Sequence, residues 1–116
     1  MKILLDECVT NPPQNSYDVA GRLKPYLPGH EVLTVTEKRW NGLKNGLLLE
    51  KAVEDNFDLL LTIDKNIMYQ QKIDNYNIIV VVIDSPSSKI EFIKEFIPRF
   101  NETLVSFKRG NIYIIS

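Results

Sequence analysis

The sequence predicts an α/β domain, with a mostly parallel sheet of about five strands flanked by helices. Three observations predict it. Apolar runs alternate with helix-patterned segments along the chain, as βαβ units require. Two of the runs, Leu59–Ile63 and Ile78–Ile83, lack the polar alternation of a half-exposed strand and suit strands covered on both faces. The 116 residues, 44% hydrophobic and 25% charged, are enough for one packed core and too few for two.

The elements follow in order. Lys2–Leu5 is a short apolar run ahead of two acids and reads as a buried strand. Asn11-Pro12-Pro13 breaks the chain, and Asn15 or Ser16 can cap a helix running to about Tyr26. Pro28-Gly29 is a turn, and Val32–Val35 is the second strand. After the loop Asn41-Gly42-Leu43-Lys44-Asn45-Gly46, Asn45 can cap a helix from Leu47 to about Asp55. Leu48, Leu49, Ala52 and Val53 form its inward face. Leu59–Ile63, Ile78–Ile83 and Ile112–Ile115 are the third, fourth and fifth strands. Before the fifth, Ile90, Ile93, Phe96, Ile97, Phe100, Leu104 and Phe107 recur at helical spacing. Pro98 should kink or restart that helix, and Gly110 suits its C-terminal cap.

Composition excludes several functions. Fourteen basic and fifteen acidic residues give a net charge of −1, against a protein held to nucleic acid by bulk positive charge. Cys8 is the one cysteine and His30 the one histidine, so a cysteine zinc cage or a His-rich metal site has no ligands. No apolar run is long enough to span a bilayer. The start, MKILLDECVT, loses its apolar character at Asp6 and Glu7, earlier than a secretory signal would. A cytoplasmic protein with no membrane contact is expected.

The chemistry lies at the strand ends. Open α/β sheets bind ligands outside the carboxyl ends of their strands. There the first apolar run meets Asp6-Glu7, the second Thr36-Glu37, the third Asp64 and the fourth Asp84. Parallel neighbours would bring these carboxylates together, and clustered like charges call for a counter-ion. A hard divalent cation, Mg²⁺ or Mn²⁺, is the economical one. Read singly, each acid is also a good turn or cap residue.

An ordered series of segments carries a resemblance. Leu4-Leu5-Asp6-Glu7, Pro28-Gly29-His30-Glu31-Val32 and Trp40-Asn41-Gly42-Leu43-Lys44-Asn45-Gly46 come first. Phe57-Asp58-Leu59-Leu60-Leu61-Thr62-Ile63-Asp64-Lys65-Asn66 and Tyr69-Gln70-Gln71 follow. The series resembles a family of short bacterial proteins in the PIN-like superfamily, and the match runs from the first strand through the fourth, about the whole chain except an insertion at 11–17. The resemblance implies a single Rossmann-like PIN domain over residues 1–116. It implies a Mg²⁺- or Mn²⁺-dependent ribonuclease, as in the toxins of toxin–antitoxin modules, with an antitoxin protein and a homodimer as expected partners. Asp6 and Asp64 match the superfamily's acids after the first strand and in its Thr-x-Asp segment. The expected catalytic set is then Asp6, Asp64 and Glu7, and the metal set Asp6, Asp64 and Asp84. Lys44, Asn45, Lys65 and Asn66 would bind single-stranded or structured RNA, and Trp40 or Tyr69 could stack on bases. Where relatives often carry an acid at the start of a helix, this chain has Asn45-Gly46-Leu47. A PIN-like protein that binds RNA or a partner without cutting is therefore the second expectation. A phosphorylation-receiver domain also fits the length and the acids, but needs a lysine after the fifth strand, where this sequence has Ser116.

Overall fold

The computed structural model describes residues 1–6, 24–40, 42–70, 72–86 and 90–116. Glu7, Cys8, the expected helix start at Asn15 or Ser16, Asn41, Gln71 and the loop residues Ser87 and Ser88 lie outside the described residues.

Short strands built almost wholly from branched apolar residues form the centre of the molecule. They are β1 (Lys2–Leu5), β2 (Glu31–Thr34), β3 (Leu59–Thr62), β4 (Ile79–Ile83) and β5 (Ile112–Ile115). They make one five-stranded sheet in the order β2-β1-β3-β4-β5, and every pairing is parallel. Every residue of β3 and β4 is buried, as the unbroken apolar runs require of strands covered twice. The order reverses direction between β1 and β3. In doubly wound sheets that switch point opens a crevice at the carboxyl edge.

The period-2 alternation sorts the core into two layers. One side carries Leu4, Leu60, Val80 and Val82, covered by Leu48, Leu49 and Ala52 of helix α1 (Asn45–Glu54) and by Phe57, Ile67 and Ile73. Ile67 opens the short helix α2 (Ile67–Gln70), and Ile73 belongs to a 3₁₀ turn, Ile73–Asn75. The other side carries Ile3, Leu5, Leu59, Leu61, Ile79, Val81 and Ile83. Over it lie Ile93 of α3 (Ile90–Ile93), Ile97 and Phe100 of α4 (Ile97–Thr103), and Leu104. The β2–β3 and β3–β4 connections thus cross on the α1 side, and the β4–β5 connection on the opposite side. All three step the same way along the sheet. The last crossover therefore has the opposite hand to the other two, although roughly 98% of such crossovers share one hand.

Two local expectations need correction and a third needs detail. Helix α1 begins at Asn45, not after it: Lys44 takes the cap position with an extended backbone, φ −70° and ψ 155°. Its carbonyl accepts the Leu48 amide at 2.8 Å, which draws Asn45 into the first turn. The 90–107 segment, expected as one helix or two, is divided into α3, a 3₁₀ turn (Lys94–Phe96), α4 and another 3₁₀ turn (Leu104–Ser106), with the helix restarting at Pro98 as expected. Pro98 sits at the start of α4, where its missing amide costs nothing. Gly110 caps no helix. It adopts φ +81° in the turn into β5, where its amide donates to the Ile78 carbonyl at 2.9 Å.

The amino edge of the sheet is tied by charge. The Lys2 amide donates to Asp58 Oδ2 at 2.7 Å and its Nζ to the Asp55 carbonyl at 2.7 Å. Lys38 Nζ lies 2.6 Å from Asp55 Oδ2, and the Arg109 guanidinium pairs with Asp58 while donating to the Asn77 carbonyl. The Lys38 ammonium holds the Asp55 carboxyl below its ordinary value of 3.8, with Lys2 adding to the effect and burial opposing it. Burial first, and the nearby N-terminal charge second, hold His30 below 6.5; its Nδ1 is buried without a hydrogen-bond partner. Both shifts mean that the unfolded chain takes up protons more readily. The His30 contribution to stability is whole above pH 6.5 and is lost as pH falls through its lower folded pKa. The Asp55 contribution is whole above 3.8 and lost below it. Thermal unfolding midpoints against pH should therefore fall in two acid steps. His30→Gln should remove the upper step and keep the lower; an unchanged profile would refute the assignment.

Candidate functional site at the carboxyl edge of β1, β3 and β4

Neighbouring strands in register bring the predicted acids to one edge. Leu5 pairs with Leu61, and the next residue, Asp6, continues the ladder by donating its amide to the Leu61 carbonyl at 3.0 Å. Thr62 pairs with Val82 in the last rung between β3 and β4, and Asp64 and Asp84 each follow two residues later. Asp84 also continues its ladder, its amide donating to the Ile115 carbonyl at 2.8 Å. All three acids therefore stand at the switch-point end of the sheet.

Thr62 joins two of them. Its hydroxyl, on a residue with no solvent exposure, donates to Asp6 Oδ2 at 2.8 Å and accepts the Asp64 amide at 3.0 Å. The Asp6 carboxylate and the Asp64 backbone are thus no more than two hydrogen-bond lengths apart. Asp6 is only 7% exposed. The Asp64 carboxylate accepts the Asn66 amide at 2.9 Å, an Asx turn that fixes the Lys65 corner. Thr62 is the residue that the strand pattern undersold. Its signal was present, as the one polar residue inside Leu-Leu-Leu-Thr-Ile. Thr62→Val should cost about 1–3 kcal/mol in denaturant unfolding, because it removes both a buried donor to Asp6 and the acceptor of the Asp64 amide. Thr62→Ser should retain most of that stability, and equal losses in both would show that the hydroxyl is not the cause.

Asp84 has a different partner. It forms an ion pair with the Lys65 ammonium, and the two side chains are 40% and 54% exposed. Among the described residues no three His, Cys, Asp or Glu side chains form a group that could hold a metal ion. The expected set Asp6, Asp64 and Asp84 shares an edge without making such a group. Glu7 is outside the described residues. Two carboxylates still suit Mg²⁺, which usually keeps several waters and takes one or two carboxylates plus substrate phosphate. The oxygen-only chemistry of Asp6 and Asp64 fits a hydrated ion of this kind.

The expected substrate residues divide. Because α1 runs back against the strands, its first turn stands at the same carboxyl edge, bringing exposed Lys44, half-buried Asn45 and a 45%-exposed Leu47 with it. Asn66 is exposed beside Asp64, and Tyr69, 83% exposed, follows one turn later. Trp40 is not at this edge. It packs edge-on against Phe57 with centroids 6.0 Å apart, and Lys38 lies 5.2 Å over its ring. Lys38, Trp40, Lys51, Glu54 and Asp55 line an open groove of about 350 Å³, at the far end of α1 from the carboxylates. Lys38 and Asp55 there satisfy each other.

Comparison with protein-family models, curated proteins and solved structures finds no match to this chain. Among the described residues no helix is long and apolar enough to cross a membrane.

Proposed function

We propose that the chain is a divalent-metal-dependent ribonuclease of PIN-like type, acting on single-stranded RNA, and the toxin of a toxin–antitoxin pair. The observation that carries this reading is the Asp6–Thr62–Asp64 arrangement at the β1/β3 switch point, the place where such sheets bind ligands. Asp6 and Asp64 are the residues to hold Mg²⁺ or Mn²⁺, with Glu7 next to Asp6 in sequence as a further carboxylate. When bound, the ion supplies Lewis-acid polarisation of a phosphate oxygen and a water of lowered pKa. The chain's own residues supply the rest. Thr62 holds the Asp6 carboxylate in one orientation, and the Asp64–Asn66 turn holds the second carboxylate at the same edge. Exposed Tyr69 offers a ring for an unpaired base.

The test is cleavage of an unstructured RNA by purified protein with Mn²⁺, beside Asp6→Asn and Asp64→Asn. Cleavage removed by EDTA and by both substitutions supports the nuclease. Equal cleavage by wild type and variants identifies a contaminant and ends the reading.

One observation favours a second reading, a PIN-like protein that binds RNA or a partner without cutting. The first turn of α1 presents exposed Leu47 to the carboxyl edge where an acid would strengthen a metal site. Wild-type protein that binds RNA with Mn²⁺ present and leaves it intact would establish this alternative.

A further inference from the structure

We propose that Asp84 is the anchor of Lys65 rather than a third metal carboxylate, and that Lys65, so held, is the contact for a substrate phosphate. The inference rests on the reading of the Asp6–Asp64 edge as a metal-dependent phosphodiesterase site and assigns the residues beside it.

Position along the sheet alone would group Asp84 with Asp64, since each lies two residues beyond the last β3–β4 pair, Thr62 with Val82. The side chains sort differently. The Asp84 carboxylate is engaged by the Lys65 ammonium. A divalent ion taking Asp84 as a ligand would have to displace that ammonium or sit beside it as a like charge, and each outcome is unfavourable. Asp64 has no such competitor among the ion pairs between described residues, which otherwise lie at the amino edge and join Lys2, Lys38 and Arg109 to Glu31, Asp55 and Asp58.

The pair is poorly placed to be a stability device. Both side chains are 40% exposed or more, and solvent-exposed ion pairs contribute little to folding. It is well placed to orient a cation. The Asx turn at Asp64 sets the backbone on one side of Lys65, and Asp84 fixes the far end of its side chain. An ammonium has three donors. With one on Asp84, the others remain for phosphate oxygens at the mouth that Asp64 borders. Asp84 is thus a positioning residue acting through Lys65.

Two binding measurements separate the roles without relying on turnover. Mn²⁺ affinity is read by titration calorimetry or by the paramagnetic signal of free Mn²⁺. Affinity for a fluorescent single-stranded RNA is read by anisotropy in EDTA, across a salt series. For Mn²⁺, Asp84→Asn and Lys65→Met are expected to stay within about twofold of wild type, while Asp64→Asn weakens binding tenfold or more. For RNA, Lys65→Met is expected to lose about three- to tenfold and to flatten the salt dependence by roughly one phosphate contact. Asp84→Asn should lose part of the same affinity and Asp84→Glu should restore it, with unfolding midpoints unchanged throughout. If Asp84→Asn weakens Mn²⁺ as much as Asp64→Asn does, Asp84 is a ligand and the inference is wrong. If Lys65→Met leaves RNA binding intact, the phosphate contact is wrong. Wild-type protein that binds no Mn²⁺ at all would overturn the nuclease reading itself, and this inference with it.

Discussion

If the chain is the nuclease proposed above, Asp6→Asn lowers Mn²⁺-dependent RNA cleavage at least about 100-fold, equivalent to roughly 2.7 kcal/mol of transition-state stabilisation. The substitution keeps size and shape, and the Asn carbonyl still accepts the Thr62 hydroxyl that now bonds Asp6 Oδ2 at 2.8 Å. What it removes is one negative charge from a nearly buried position. Stability should therefore change little, by about 1 kcal/mol or less, while cleavage collapses. Asp64→Asn should behave alike, and the double variant should lose no more than either single one, because two ligands of one ion act as a unit. The measurement is a time course on end-labelled RNA beside thermal unfolding of each variant. Additive losses would show two independent contributions and break the shared-ion model. A variant that loses activity only by unfolding would remove Asp6 from the chemistry.

The sheet was legible because its signal is redundant. Ile79–Ile83 is buried at every residue, so no shift of a residue at either end would disguise it as a half-exposed strand. Strands β1 and β5 have their expected bounds, and the other three differ by a residue: β2 is Glu31–Thr34, β3 stops at Thr62 and β4 starts at Ile79. The same redundancy placed Asp6, Asp64 and Asp84 at one edge, since the end of an apolar run marks the end of a strand. Strand order was not legible. Nothing in a run such as Ile112–Ile115 says which neighbour it pairs with, and its pairing with β4 depends on a crossover that passes on the opposite side of the sheet from the two before it.

Side-chain partners were harder still to read. Lys65 follows Asp64 in sequence, yet its ammonium pairs with Asp84, nineteen residues on, because β3 and β4 lie side by side. Trp40 sits in a loop close in sequence to Lys44 and Asn45, and looked equally available to a substrate. Its ring instead packs on Phe57, a residue buried at the opposite end of α1. Thr62 carries the hydrogen bonds that connect the acids, and a strand pattern treats threonine as merely compatible. In each case the missing information is tertiary. The sequence specifies the edge, and packing decides which groups at that edge face one another.

Phe100→Ala should be the most destabilising single substitution proposed for the chain, by about 3–5 kcal/mol. The ring is fully buried, lies on α4, and packs in the layer formed by Leu5, Leu61, Val81 and Ile97. It also meets Phe107, with centroids 6.3 Å apart. The segment that covers this side of the sheet is cut into four short helical pieces. None has the length to be stable through its backbone hydrogen bonds alone, so burial has to hold it. The cavity left by alanine cannot be closed by a rigid sheet beneath it, which puts the cost toward the upper part of that range. A domain of this size should lose about 10–25 °C in unfolding midpoint. Val105→Ala, one turn further along and 93% exposed, is the matched control and should change stability by about 0.5 kcal/mol or less. Denaturant unfolding of the two variants measures the difference. Similar midpoints for both would mean that the 97–106 segment does not pack on β1, β3 and β4, and that the crossover of opposite hand is wrong as well.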